Sequence, residues 1–313
     1  MTARTLLDRT GTFIGLVLVA IIFGALVGSQ FFAPGNVELM ARQAAIVCMA
    51  ALGMTVVIAT GGIDLSVGSI ISLSTVVIAL QLRADHPPLV AAAGGVAAAA
   101  LCGLINGVVI TQLRVVPFIV TLGTMLIVRG AAKGLAEERR IEAPVTWLND
   151  LLRTRPGTLL PGGIWAVFVL ALLVAGLLRY TRFGRHVFAI GSNERMARLC
   201  GVGLTRTKIA VYTISAALTG MAGLLQFSKL SVGDPTVAIG LELDVIAAVI
   251  IGGGSLTGGR GTVLGTVIGA AIMTVIQTGC TQKGLPNWVQ QIVTGGIIVA
   301  AVALDRMRSV KTA

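Results

Sequence analysis

AAIVCMAALGMTVVIAT (44–60), GGIDLSVGS (61–69) and IISLSTVVIAL (70–80) follow one another without a gap. Two apolar runs flank a short passage of glycines, one aspartate and two serines. Each run approaches the length of helix needed to cross a hydrocarbon layer of about 30 Å. A carboxylate or an unpaired backbone group is costly at that depth. The stretch is therefore either a tight reversal between two membrane helices or a polar break that lines a path through them.

The rest of the chain settles which environment surrounds it. Of 313 residues, 55% are hydrophobic and 12% charged, and the mean hydropathy is +0.93. Soluble domains carry about 25% charged residues, so this composition indicates an integral membrane protein. The net charge of +11 fits cytoplasmic loops rich in Lys and Arg. No basic stripe with interleaved aromatics is present, so no nucleic-acid partner is expected. Cys48, Cys102, Cys200 and Cys280 are widely spaced, and His86 and His186 share no ligand cluster. The spacing suggests neither a disulfide framework nor a metal site.

Ten apolar segments can be marked, at 12–29, 43–60, 64–81, 89–112, 116–134, 164–178, 209–227, 243–257, 262–280 and 288–304. They predict an all-α membrane protein with about ten spans and a lipid-bilayer environment. The first run is long enough to be a retained span rather than a processed leader. With both termini cytoplasmic, the inner side carries 14 Lys or Arg against 3 acids, with Asp64 set aside, and the outer side 10 against 9. The loop 179–208 alone holds seven basic residues and the single acid Glu194. This asymmetry follows the positive-inside tendency. The 40 glycines suit close helix packing in lipid.

The chain reads as a single transmembrane domain over 1–313. Five spans (12–134) precede a long outer connection (135–163), and five more follow (164–304). An odd number per half predicts an inverted repeat. IDLSVGSII (63–71) and LDVIAAVII (243–251) align, each with an Asp at the start of a span.

No catalytic residue is expected. GSLTGGRG (254–261) mimics a phosphate loop, but Arg260 replaces its lysine and Gly261 its Ser/Thr, so it reads as a tight turn. Charges inside the spans are few, whereas gradient-driven carriers usually place several there. An external energy source is the better expectation, with loop 179–208 as its docking surface.

GGIDLSVGSIISLSTV, INGVVITQLRVVPFIVTLGTMLIVRG (105–130), GSNERMARLCGVGLTRTKIAVYTISAALTGMAGLL (191–225) and LDVIAAVIIGGGSLTGGRGTVLGTVIGAAIM (243–273) resemble the signature blocks of ribose-type sugar ABC-importer permeases. The resemblance covers nearly the whole chain. It implies a bacterial inner-membrane permease that pairs with a second copy or a close paralogue. It also implies a cytoplasmic ATP-binding subunit, docked on the loop between the sixth and seventh spans, and a periplasmic sugar-binding protein. No cofactor is implied. The family's docking pattern falls on Gly191, Asn193, Ala197 and Gly201, with Met196 where an alanine is common.

Around that resemblance, the residues suggest local roles. Asn193 can cap a short helix that presents Arg195, Met196 and Arg198, and Gly201 or Gly203 can end it. In the 61–69 stretch, Gly61 or Gly62 can end one helix and Asp64 or Ser66 cap the next. Alternatively Asp64, Ser66 and Ser69, with Asn106, Thr121 and Thr124, line a translocation path or gate. Pro117 sets the start of the fifth helix. Asp234, Glu242 and Asp244 form a net acidic outer stretch that can meet a binding protein. Nucleoside and branched-chain amino acid permeases share the architecture, but Asp64-Leu65-Ser66-Val67 favours a monosaccharide.

Overall fold

The structure is a computed structural model that describes residues 3–154 and 160–310, with side-chain detail over 11–154 and 160–303. Residues 155–159 of the long connection and 311–313 of the basic carboxyl terminus lie outside the described residues. Twelve α-helices appear among the described residues. They are α1 (Ala3–Val27), α2 (Pro34–Ala59), α3 (Val67–Arg83), α4 (Pro88–Gln112), α5 (Pro117–Leu135) and α6 (Gly162–Tyr180), then α7 (Arg182–Ser192), α8 (Glu194–Leu199), α9 (Leu204–Leu230), α10 (Leu241–Ile251), α11 (Val263–Gln282) and α12 (Asn287–Val310). Six of them, α2, α4, α5, α6, α9 and α11, are long and apolar enough to cross a membrane.

Each of the ten apolar segments coincides with a helix, and the starts have local causes. Pro34, Pro88 and Pro117 occupy the first turns of α2, α4 and α5, where a missing N–H costs nothing and a fixed φ helps. Thr262 Oγ1 accepts from Gly265 N–H at 3.1 Å to cap α11. The helices α1, α2 and α9 start nine, nine and five residues before their marked segments, and one segment is cut short. The span marked 243–257 stops at Ile251, because Gly252, Gly253 and Gly254 follow and Gly253 takes φ +90°. At 11 residues and 1.5 Å per residue, α10 is about 17 Å long, roughly half a membrane.

From Ala45 to Ala59 every residue of α2 is buried. A helix apolar on all faces belongs in the interior, and α2 packs against α6, α9, α10 and α11. In lipid no hydrophobic force draws helices together, so close packing and interhelical hydrogen bonds do the work. The α4–α9 seam shows it. A Cβ at Gly103 would lie 2.2 Å from Tyr212 O, and one at Gly107 2.7 Å from Ile209 Cα. Thr55 and Thr266 hydroxyls join α2 to α11 at 2.7 Å, a bond worth about 0.6 kcal/mol in membrane proteins. Outward faces of α4, α5 and α6 expose Leu101, Leu126, Ile127, Leu172 and Leu173, which suits contact with acyl chains.

The two ends of the bundle differ. At one end the long connection folds onto the 231–240 loop: β1 (Ile141–Glu142) pairs antiparallel with β2 (Val232–Gly233), and Leu152 N–H donates to Ser228 Oγ at 3.0 Å. At the other end lie α7 and α8, the turn after α2 and the glycine loop before α11.

Candidate functional site

The 61–69 stretch builds its site from two local devices. First, α2 ends in a Schellman motif. Gly61 takes φ +79°, Gly61 N–H donates to Ile58 O at 2.9 Å and Gly62 N–H to Val57 O at 3.2 Å. The last carbonyls of α2 are thereby satisfied and the chain reverses. Second, α3 begins without the expected side-chain cap. Ser66 stands at the N-cap position, but it makes no capping hydrogen bond. Its backbone N–H and its hydroxyl instead donate to Asp64 Oδ1, at 2.9 and 2.5 Å. The carboxylate therefore organises the loop rather than the helix end.

From Asp64, 1% exposed, a polar chain crosses to two other helices. Asn106 Nδ2 in α4 donates to Ser66 Oγ at 3.2 Å, and Thr124 in α5 donates to Asn106 Oδ1 at 2.6 Å. Thr121 clamps the loop backbone from α5: it accepts from Leu65 N–H at 3.1 Å and donates to Ile63 O at 3.2 Å. Five of the six path or gate candidates thus share one network joining α3, α4 and α5. Ser69 is buried in the first turn of α3 and stays outside it, its hydroxyl without a partner among the described residues.

Asp64 Oδ2 and the hydroxyls of Tyr212 and Ser215 are likewise buried and unpartnered among the described residues. Tyr212 presses its hydroxyl against Gly62, where a Cβ would lie 2.4 Å away. An unsatisfied buried group costs about 1–3 kcal/mol, and such groups call for an explanation. In and beside the break they supply free acceptors and hydroxyl donors for water or a polyhydroxylated solute. Tyr212 escaped sequence reasoning because nothing in its local pattern distinguishes it from a core aromatic.

The α7–α8 segment carries the six docking candidates. Asn193 ends α7 and starts α8, its Oδ1 accepting from Met196 N–H at 3.0 Å. Gly201, not Gly203, ends α8: at φ +81° it completes a second Schellman motif, Gly201 N–H to Arg198 O and Val202 N–H to Ala197 O, both at 3.0 Å. Ala197 is buried against Ile190 and Leu204. Arg195, Met196, Arg198 and Leu199 face outward, with Met196 54% and Leu199 75% exposed. Lys208 ties α9 back to α8 through Glu194 at 2.8 Å.

Gly191 has a contact the sequence did not disclose. A Cβ there would lie 1.9 Å from Ala59 O, at the end of α2, and 2.4 Å from Gly259 N. Gly259 N–H itself donates to Ala59 O at 3.0 Å, and a Cβ at Gly258 would meet Gly191 O at 2.7 Å and Gly61 N at 2.9 Å. Three backbones therefore touch at one point: the end of α7, the turn after α2 and the 254–261 loop. That loop is the tight turn expected, with Gly258 at φ +85° and Gly259 at φ +73°, but its partners lie far away in sequence.

The three acidic candidates at the opposite end turn inward. Asp234 is 5% exposed; Oδ1 accepts from Thr236 N–H at 2.8 Å and its hydroxyl at 2.7 Å, and Oδ2 accepts from Arg140 Nε at 2.9 Å. Burial raises the Asp234 carboxyl, but the Thr236 hydrogen bonds and the Arg140 guanidinium outweigh it and hold the group below its usual range. Glu242 Oε1 accepts from Gly240 N–H at 3.2 Å, and Oε2 is buried. Asp244 Oδ2 accepts from Gln277 Nε2 at 2.6 Å. Asp64 precedes its helix whereas Asp244 lies within the first turn of α10, so the two aligned aspartates are not structural equivalents. Arg129, in α5, also reaches this loop, donating to Pro235 O and Val237 O at 3.2 and 2.7 Å.

A ribose import permease of Bacillus subtilis is 38% identical over 305 residues, covering 97% of this chain and 94% of its own. The ribose import permease of Escherichia coli K12 is 35% identical over 311 residues, 98% and 96%. An L-arabinose ABC transporter permease of Azospirillum brasilense is 36% identical over 306 residues, 97% and 89%. No solved structure matches the chain. The model of the family described as branched-chain amino acid transport system, permease component, matches residues 36–302, and the chain belongs to that family.

Proposed function

We propose that this chain is the membrane-embedded permease subunit of a binding-protein-dependent ABC importer for a monosaccharide. The observation that carries the proposal is the backbone junction at Gly191, which connects the exposed α7–α8 segment to the turn beside the buried Asp64 network. A soluble ATP-binding subunit seated on Arg195, Met196, Arg198 and Leu199 pushes on α7. The push reaches the end of α2 without passing through any flexible side chain, and shifts the break that Asp64, Ser66, Asn106, Thr121 and Thr124 hold shut. ATP is hydrolysed in the partner, and this chain supplies the path.

In this scheme the chain is one domain with ten spans in a 5+5 inverted arrangement and both termini cytoplasmic, in the bacterial inner membrane. The half-length α10 counts as the eighth span, completed by the glycine loop that returns to α11. A second copy or a close paralogue completes the path, and a periplasmic sugar-binding protein delivers cargo to the end that carries the β1–β2 ladder. Asp234, Glu242 and Asp244 act there from beneath the surface, shaping the 231–240 loop that the binding protein meets.

Sugar as the cargo is supported by the names of the relatives similar over nearly the whole chain, against the broader description of the family. The test is ATP-driven uptake into proteoliposomes that hold this chain, its ATP-binding subunit and its binding protein. Labelled ribose and arabinose enter, and leucine does not. Uptake of leucine with exclusion of both sugars refutes the reading.

A further inference from the structure

The geometry points to a second solute site, a polar chamber between the first turns of α2, α10 and α12 and the last turns of α11, that receives a monosaccharide before it reaches the Asp64 network. The inference rests on the reading of the chain as a monosaccharide permease. The chamber has a volume of about 580 Å³, within the roughly 300–1,000 Å³ of small-molecule sites. It opens beside the 231–240 loop that follows the β1–β2 ladder, and its Leu243–Asp244 wall adjoins Glu242, whose Oε2 would lie 2.4 Å from a Cβ at Gly68 in the 61–69 stretch.

Its chemistry is unusual for a surface between membrane helices. Among the described residues, nine amide or hydroxyl side chains and one carboxylate line it, and no Lys, Arg or His does. Part of this set is internally fixed. Gln277 holds Asp244 Oδ2, Thr278 donates to Gln43 Oε1 at 3.2 Å, and Gln290 Nε2 donates to Leu285 O at 2.9 Å. These bonds orient the groups that remain unused among the described residues: the second oxygen of Asp244, the Gln43 amide nitrogen, and the side chains of Asn287, Gln291 and Thr294. A sugar hydroxyl both donates and accepts, and amides, hydroxyls and a carboxylate meet both needs. Leu243 and Ile298 supply an apolar wall for the C–H face of a pyranose or furanose ring.

The charge pattern selects among solutes. A phosphorylated sugar or an amino acid would bring an anion into a chamber without a cationic side chain and with Asp244 in its wall. A neutral polyol brings none. The chamber therefore suits the free monosaccharide.

The experiment uses the full chain in proteoliposomes with Cys200→Ser and Gln291→Cys, labelled from outside with a membrane-impermeant maleimide. At a ribose or arabinose concentration about twice the site's dissociation constant, labelling slows about threefold. Leucine and choline leave the rate unchanged. Asn287→Ala, at an exposed position whose loss leaves the packing intact, removes the protection and lowers ATP-driven uptake. If either sugar is taken up in the assembled system yet none slows labelling, the chamber is not a sugar site and the permease reading stands. If no monosaccharide is taken up and none protects, the permease reading fails and the chamber falls with it. Equal protection by leucine also overturns the assignment.

Discussion

Replacing Gly191 by alanine adds one carbon at the point where α7, the turn after α2 and the 254–261 loop touch. That carbon would sit 1.9 Å from Ala59 O and 2.4 Å from Gly259 N, whereas real Cβ atoms essentially never come within 3.0 Å. The end of α7 must therefore withdraw by 3.0 − 1.9 = 1.1 Å from Ala59 O. Both neighbours are backbone, so neither can rotate away. Overpacking of this kind costs about 1–3 kcal/mol, and disturbing the 3.0 Å bond from Gly259 to Ala59 adds about 1 kcal/mol. Thermal unfolding in mild detergent should show a loss of about 2–4 kcal/mol in total. ATP-driven sugar uptake per folded molecule should fall by roughly 5- to 150-fold, the range of ordinary coupling free energies, while the ATP-binding subunit still co-purifies. Gly203→Ala is the control. At φ −72° with nothing within 4 Å, it changes stability by less than about 0.5 kcal/mol and leaves the junction whole, so uptake per folded molecule is unchanged. Wild-type stability and wild-type uptake in Gly191→Ala would refute the idea that this contact carries force.

Other substitutions probe the remaining links. Asn106→Ala removes the two hydrogen bonds that tie Ser66 to Thr124 across α4 and should cost about 1–3 kcal/mol together with uptake; a variant that unfolds with the wild type would show that the polar chain holds nothing. Gly103→Val drives side-chain atoms into Tyr212 O, 2.2 Å from the Cβ position, and should part α4 from α9 at a cost of about 1–3 kcal/mol or more. Native-like resistance of that variant to detergent unfolding would contradict the seam. For Asp234, whose carboxyl is held below its usual range, the stabilisation is complete above about pH 4, the ordinary carboxylate value. It is lost as pH falls through the lower folded value. Hydrogen exchange in 231–240 should rise on acidification, and Asp234→Asn should abolish that dependence. An identical acid response in the variant would assign the effect elsewhere.

What the sequence revealed follows the reach of its signals. Apolar runs act locally, so the ten helices that carry them were legible, and Pro117 begins α5 as expected, but the polar first turns of α1, α2 and α9 and the whole of α7 lie outside the apolar runs and were not marked. The glycine doublet at 61–62 announced a reversal for the same reason. The path candidates Asp64, Ser66, Asn106, Thr121 and Thr124 stood out because polar residues in apolar runs are conspicuous, and the structure brings them together. The end of α10 was misjudged because Gly252–Gly254 sit comfortably within small-residue membrane sequence. The role of Ser66 was misjudged because a cap and an Asx turn use the same residue types, and only geometry separates them. The contact between Gly191, Ala59 and Gly259 left no trace, since a meeting of backbones has no side-chain pattern to read.

That last property bears on how the protein can evolve. Where two side chains pack, a change in one can be answered by a change in the other, and a lineage can drift through compensated pairs. At Gly191 and Gly258 one member of each close contact is main chain, which cannot mutate in shape, so no second substitution restores the fit. The exposed Met196 and Leu199, only a few residues away, are free to vary with whatever surface they meet. The same short segment thus joins a position frozen by its own fold to positions tuned by another molecule, and natural variants should differ abruptly between the two.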